Sequence, residues 1–179
     1  MCAPAVGERL YQELLAAFPD GRVQTERIQH LEYLQAVVNE ILRVTPIALA
    51  VPRRLNQSAQ LAGYDLPSGT VVAASAYLAH RSARNWSAPN DFDPERFLAE
   101  HPSSFTFLPF GGGTRRCLGA AFARYQIAIV LAQLWSNWRL ESVAGFQVRP
   151  IMRGITVSPP PRMPARTHRR VERRVASTT

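Results

Sequence analysis

Apolar residues recur at helical spacing over residues 8–18, where Leu10, Leu14, Leu15 and Phe18 share a face and Pro19, Asp20 and Gly21 end the run. A polar connector follows. From residue 28 to 45, Leu31, Leu34, Val37, Val38, Ile41 and Leu42 repeat at three and four, which predicts an amphipathic helix closed by Pro46. Between 47 and 77 the pattern shortens to runs broken by turn residues, predicting strands around Val51–Leu55, Gln60–Gly63 and Thr70–Ala76. Leu66-Pro67-Ser68-Gly69 fits a tight turn, so a hairpin is expected there. Residues 83–109 carry Asn, Asp, Trp, Phe and four prolines without a period and predict an irregular but ordered loop. Residues 118–140 form the longest helical stretch, with so few polar positions that it is expected to be largely buried. After Arg149 the pattern weakens. Residues 158–179 read as a basic, disordered tail, leaving 1–157 as the ordered domain.

The 179 residues are 46% hydrophobic and 19% charged, which excludes collagen, a coiled coil and wholesale disorder. No run approaches the ~18–20 apolar residues of a membrane span, and MCAPAVGERL lacks the regions of a signal peptide. A soluble, cytoplasmic protein without a membrane span is therefore expected. Cys2 and Cys117 stand 115 positions apart, so no CxxC cluster or disulfide framework arises, and any sulfur chemistry rests on a lone thiol. The net charge is +8, but six arginines and one acid between Arg162 and Arg174 place +5 of it in the tail. Without interleaved aromatics, that distribution argues against nucleic acid as a partner.

Candidate chemistry concentrates in residues 107–121, FLPFGGGTRRCLGAA. Gly111, Gly112 and Gly113 let the backbone adopt positive φ and approach a flat, bulky partner. Cys117 falls at the mouth of the long helix, where unpaired N–H groups, the helix dipole, Arg115 and Arg116 favour a thiolate. Two plainer alternatives stand beside this one. A lone cysteine is often a small buried hydrophobe, and a glycine run before a helix can cradle phosphate. The phosphate reading is weakened because the chain contains no lysine for a Walker-type loop.

Phe110, Gly113, Arg115, Cys117 and Gly119 fit F-x-x-G-x-R-x-C-x-G at every specified position. In this the chain resembles the cytochrome P450 family, whose haem-binding signature this is. Two further family motifs precede it in order: Glu40 and Arg43 match E-x-x-R, and Pro94-Glu95-Arg96-Phe97 matches P-E-R-F. The resemblance implies an α+β, mainly helical fold, the C-terminal haem-binding portion of the family's domain with small β-sheets. It implies haem b (iron-protoporphyrin IX) as cofactor with Cys117 as the axial thiolate, Phe110 packed near the sulfur, and Gly111, Gly113 and Gly119 shaping the loop. Arg115 would meet a propionate, as would Arg53, with Arg54 as the alternative register. Gln57 and Ser58 stand where relatives often carry an acidic pair. No residue is assigned a catalytic step.

Glu40 and Arg43 are three apart and share a helix surface. Alone they could be a solvated pair worth ~0.5 kcal/mol. The resemblance implies instead a buried structural triad of Glu40, Arg43 and Arg96. His80 and Arg81 resemble the family's H-R segment, with His80 expected as a polar cap or propionate neighbour rather than an iron ligand. Family members are considerably longer, and the resemblance covers roughly 8–158, so the distal oxygen-activating helix and most of the substrate roof are expected to be missing. The implied activity is a haem-thiolate monooxygenase that inserts one oxygen atom from O₂ into a small, apolar organic substrate. Its electrons would come from NAD(P)H through a ferredoxin or flavoprotein reductase docking near Arg116 and Arg124, and substrate contact is confined to residues 47–51. The alternative is a truncated, non-catalytic remnant or haem-binding module, prone to aggregate through exposed helix faces.

Overall fold

A computed structural model of the chain describes residues 4–99 and 101–170. Helix α1 (Pro4–Ala17) and helix α2 (Glu32–Val44) occupy the segments where the helical period is clearest, joined by a 3-10 turn at Thr25–His30. Their apolar stripes meet in one core: Leu10, Leu14 and Phe18 pack with Ile28, Leu34, Val37, Val38 and Leu42, and Ala128 and Ala132 close it from helix α5 (Ala120–Asn137). The start of α2 has no side-chain cap of its own. Glu13 of α1 supplies one from outside, its carboxylate accepting the N–H groups of Tyr33 and Leu34 at 2.8 and 2.9 Å. Two of the donors that a helix start leaves unpaired are thereby satisfied by a charge of the favourable sign.

Among the described residues the strands form four two-stranded antiparallel sheets. Strand β1 (Ala50–Arg54) pairs with β4 (Val71–Ser75), and β2 (Ala59–Leu61) with β3 (Tyr64–Leu66). The turn at 66–69 forms, with Gly69 at φ +85°, but it does not close a hairpin between its own flanking strands. The tight hairpin is β2–β3 one turn earlier, and β4 returns to β1. Two short helices follow, α3 (Ala76–Ala79) and α4 (Arg96–Ala99), and the loop between them is ordered by a second core of Ala36, Trp86 and Phe97 against Phe107.

Two expectations are corrected. Helix α5 is not largely buried: Ala120, Ala128, Ala132 and Ser136 form its covered stripe, while Phe122 is 71% and Val130 50% exposed. Its apolar residues run around the whole circumference, and among the described residues only one side finds a partner, the side with side chains small enough for α1 and α2 to approach. Residues expected in a disordered tail also form structure. Ala165–Arg169, β8, pairs with β5 (Trp138–Ser142); just ahead of that tail, Ile151–Arg153 (β6) pairs with Thr156–Ser158 (β7). Glu141 faces Arg166 across the β5–β8 pair, with His168 and Arg139 3.6 and 3.2 Å from its carboxylate. Arg170 stacks 3.4 Å from the Tyr11 ring centroid. A ladder, a central counter-ion and an aromatic face offset the repulsion that composition alone suggests. The rest of the tail, 171–179, and Cys2 lie outside the described residues.

Candidate functional site

The cysteine loop is built from backbone hydrogen bonds. The Gly111 N–H donates to Leu108 O at 3.1 Å, Arg116 N–H to Gly113 O at 3.2 Å, and Cys117 N–H to Phe110 O at 3.0 Å. These closures need left-handed backbone at Gly111 (φ +73°) and Gly113 (φ +65°), where a side chain is disfavoured. A Cβ on Gly111 would also lie 3.7 Å from Val51 Cγ2, which puts the glycine run over β1. Helix α5 starts at Ala120, so Cys117 belongs to the turn just before it; the Ala120 N–H reaches Cys117 O at 3.4 Å and Gly119 is the capping residue. The Cys117 thiol is free and exposed, which departs from the buried-hydrophobe alternative. It borders an open groove of about 510 Å³ lined by Gln29, Gln35, Arg116, Arg124 and Tyr125.

Phe110 is half-buried against the main core, and Arg115 is exposed in a 3-10 turn, Gly113–Arg115. Arg53 is exposed on β1, its Nη1 donating to Pro52 O at 2.8 Å, while Arg54 Nη1 donates to Gly69 O at 3.2 Å. Beside the sulfur, Arg124 bonds to Asn39 Oδ1, and burial, then the neighbouring Arg116, lower its pKa.

Behind the loop the structure brings Glu40, Arg43 and Arg96 together. Arg43 Nε donates to Glu40 Oε2 at 2.7 Å and Nη2 to Oε1 at 2.8 Å, while Arg96 Nε reaches Oε1 at 3.3 Å. Glu40 and Arg43 are fully buried and the Arg96 side chain is 8% exposed. Arg43 also donates to the carbonyls of His80, Pro89 and Asp91, at 2.7, 2.7 and 2.8 Å, so all five of its N–H groups have acceptors. Glu40 further accepts the Asp93 N–H at 2.7 Å, and Arg96 Nη1 donates to Ser87 O at 2.9 Å. Two residues of α2 and the first residue of α4 thus bind segment 87–93 through its backbone.

His80 is fully buried and joins the network to the loop. Its Nδ1 lies 3.1 Å from Arg43 O and its Nε2 3.0 Å from the Leu108 N–H. Those partners assign the neutral tautomer with the proton on Nδ1. Burial, opposed by the Arg43 carbonyl and reinforced by the Arg43 and Arg81 guanidinium groups, pushes its pKa down to about 4. The H-R pair in the sequence singled His80 out, but its partners are main-chain groups, which no side-chain motif displays. Glu13 gave no such signal, because its role depends on where α2 begins. Among the described residues no group of three or more His, Cys, Asp or Glu could hold a metal ion, and no helix is long and apolar enough to cross a membrane.

The profile of the family described as Cytochrome P450 matches residues 1–165. A protein named as cytochrome P450 135B1 in Mycobacterium tuberculosis is 38% identical over 148 residues, 83% of this chain and 31% of the relative. Cytochrome P450 3A29 of Sus scrofa is 34% identical over 81% of this chain and 30% of its own length, and tabersonine 16-hydroxylase 2 of Catharanthus roseus 35% identical over 78% and 29%. The chain belongs to the cytochrome P450 family. It spans about 30% of the length of the curated relatives it matches.

Proposed function

We propose that the chain supplies the haem-thiolate side of a cytochrome P450 monooxygenase, with Cys117 as the residue that would hold the iron of haem b. The observation that carries this reading is an exposed thiol on a loop whose glycines and buried supports fix its backbone. The donor set fits the group. The exposed Cys117 thiol can approach iron, the space where a Cβ of Gly113 would stand has no neighbour within 4 Å, and Arg115 and Arg53 are exposed cations able to meet carboxylates.

In this reading Cys117 would hold the iron as thiolate, Phe110 would pack beside the sulfur, and Gly111, Gly113 and Gly119 would keep side chains out of the way of the bound group. Arg115 and Arg53 would bind its propionates, and Glu40, Arg43 and Arg96 would keep the 87–93 loop and the cysteine loop in register. Bound haem supplies the one-electron and O₂ chemistry that no side chain here offers. The family-level reaction is insertion of one oxygen atom of O₂ into a small apolar organic molecule, with NAD(P)H electrons delivered in the cytoplasm by a ferredoxin or flavoprotein reductase. Arg116 and Arg124, at the sulfur-side groove, are the residues offered to that donor.

The test is expression of the full chain with haem precursor and the spectrum of its reduced carbon-monoxide complex. The expected result is a red-shifted, thiolate-type band that disappears in Cys117→Ser; absence of haem uptake by the unaltered chain overturns the proposal. A second reading, a haem-binding module without turnover, is favoured by the exposed apolar side of α5 with Leu118, Phe122 and Val130. It is distinguished by the thiolate band appearing while NAD(P)H and O₂ consumption with a reductase stay at background.

A further inference from the structure

The route from the buried charges to the sulfur runs through one side chain. The His80 ring donates to the carbonyl of Arg43, and the His80 carbonyl in turn accepts from the Arg43 guanidinium, so the two residues are locked to each other twice. On its other edge the ring accepts the Leu108 N–H at 3.0 Å, and its face lies 5.5 Å from the Phe107 ring centroid. From Leu108 the chain of bonds continues through its own carbonyl to the Gly111 N–H, and the Phe110 carbonyl accepts the Cys117 N–H. No other side chain among the described residues bonds to the backbone of residues 107–117 from outside that segment.

We propose that His80 is the positioning residue of the cysteine loop, setting the seat of Cys117 by fixing the Leu108 amide to the carbonyl end of α2. It touches neither the sulfur nor a cofactor; it acts through Leu108 and Phe110. The chemistry suits imidazole in particular. One buried side chain must donate on one edge and accept on the opposite edge, and the neutral ring does both along a rigid axis. Glutamine can present an acceptor at the depth of Nε2; asparagine is too short to reach Leu108; phenylalanine keeps the ring volume and loses both bonds. The inference deepens the proposed function, since it rests on Cys117 being the iron ligand.

The experiment compares the full chain with His80→Phe, His80→Gln and His80→Asn in two independent readouts. The first is residue-specific amide hydrogen exchange. In His80→Phe the Leu108 and Cys117 amides are expected to exchange about tenfold faster, the size set by freeing one buried N–H from its partner, while amides of α1 keep their rates and His80→Gln restores Leu108 to within about threefold. The second is the fraction of thiolate-type band in the reduced carbon-monoxide spectrum, expected to fall in His80→Phe and to recover in His80→Gln. Unchanged Leu108 exchange in His80→Phe, or equal acceleration in the Gln variant, overturns the inference. Should His80→Phe not fold, Asn against Gln makes the same comparison, and equal Leu108 exchange in the two overturns it. A chain that takes up no haem defeats the proposed function, while the exchange readout still decides the role of His80.

Discussion

Two regions of the molecule, one around Arg43 and one around Cys117, are held by opposite means. Around Arg43 the charge is buried and matched: its five N–H groups meet three carbonyls and both Glu40 carboxylate oxygens, one of which Arg96 and the Asp93 amide share. Around Cys117 the side chains are exposed and the backbone alone makes the closures. The difference separates stiffness from access. Buried charges tolerate no missing partner, so they fix geometry, whereas a sulfur that is to reach a metal has to stay uncovered. His80 lets the first region hold the second without covering it.

The contrast can be broken at several points. The largest effect is expected for Arg43→Ala, which leaves Glu40 Oε2 and three carbonyls without their donor; it should lower stability by about 3–5 kcal/mol in denaturant unfolding. A loss below about 1 kcal/mol would mean the network is no stiffer than a surface pair. Next comes pH. Unfolded His80 takes up its proton near 6.5 and folded His80 only near 4, so the unfolded state holds more protons in that window. The stability tied to neutral His80 is therefore fully present above pH 6.5 and is lost as pH falls towards 4, by ~3 kcal/mol. Arg43 and Arg81, the charges facing the ring, carry the same sign throughout, and Glu40 is already bonded to Arg43 and Arg96. The measurement is the stability difference between the unaltered chain and His80→Gln, which should shrink by that amount between pH 7 and pH 4; a constant difference would detach the ring from the folded-state balance.

A smaller effect is expected at Glu13. Glu13→Ala removes the borrowed cap from α2 and should cost about 1–2 kcal/mol, with Glu13→Gln intermediate, read by the same unfolding transition. Smallest in stability is Cys117→Ser, within about 0.5 kcal/mol because the side chain is exposed. If that substitution instead destabilised the chain as much as a core change, the exposed loop would be part of the packing and the contrast would disappear.

Helices α1 and α2 were legible because their apolar positions are confined to one face, and the pairing of Glu40 with Arg43 because three residues on a helix bring side chains together. The distribution of burial along α5 was not, since apolar residues surround it and composition does not say which side meets Ala128 and Ala132 and which leaves Phe122 in solvent. The partner of β4 was also hidden: the turn at 66–69 is local, but its strand returns to residues some twenty positions earlier. Strand β8 was masked by its own charges and that of Arg170 just after it, which Glu141 and Tyr11 from elsewhere in the chain offset.

The residue order alone determined the helical faces, the glycine turn before Cys117 and the candidate ligand itself, because each depends on spacing within a few positions. Only the tertiary structure decided that Arg43 binds three distant carbonyls, that Glu13 caps another helix and that His80 spans from α2 to Leu108. Those bonds end on main-chain atoms, which every residue carries alike, so they become specific only when folding selects which of them are buried and near.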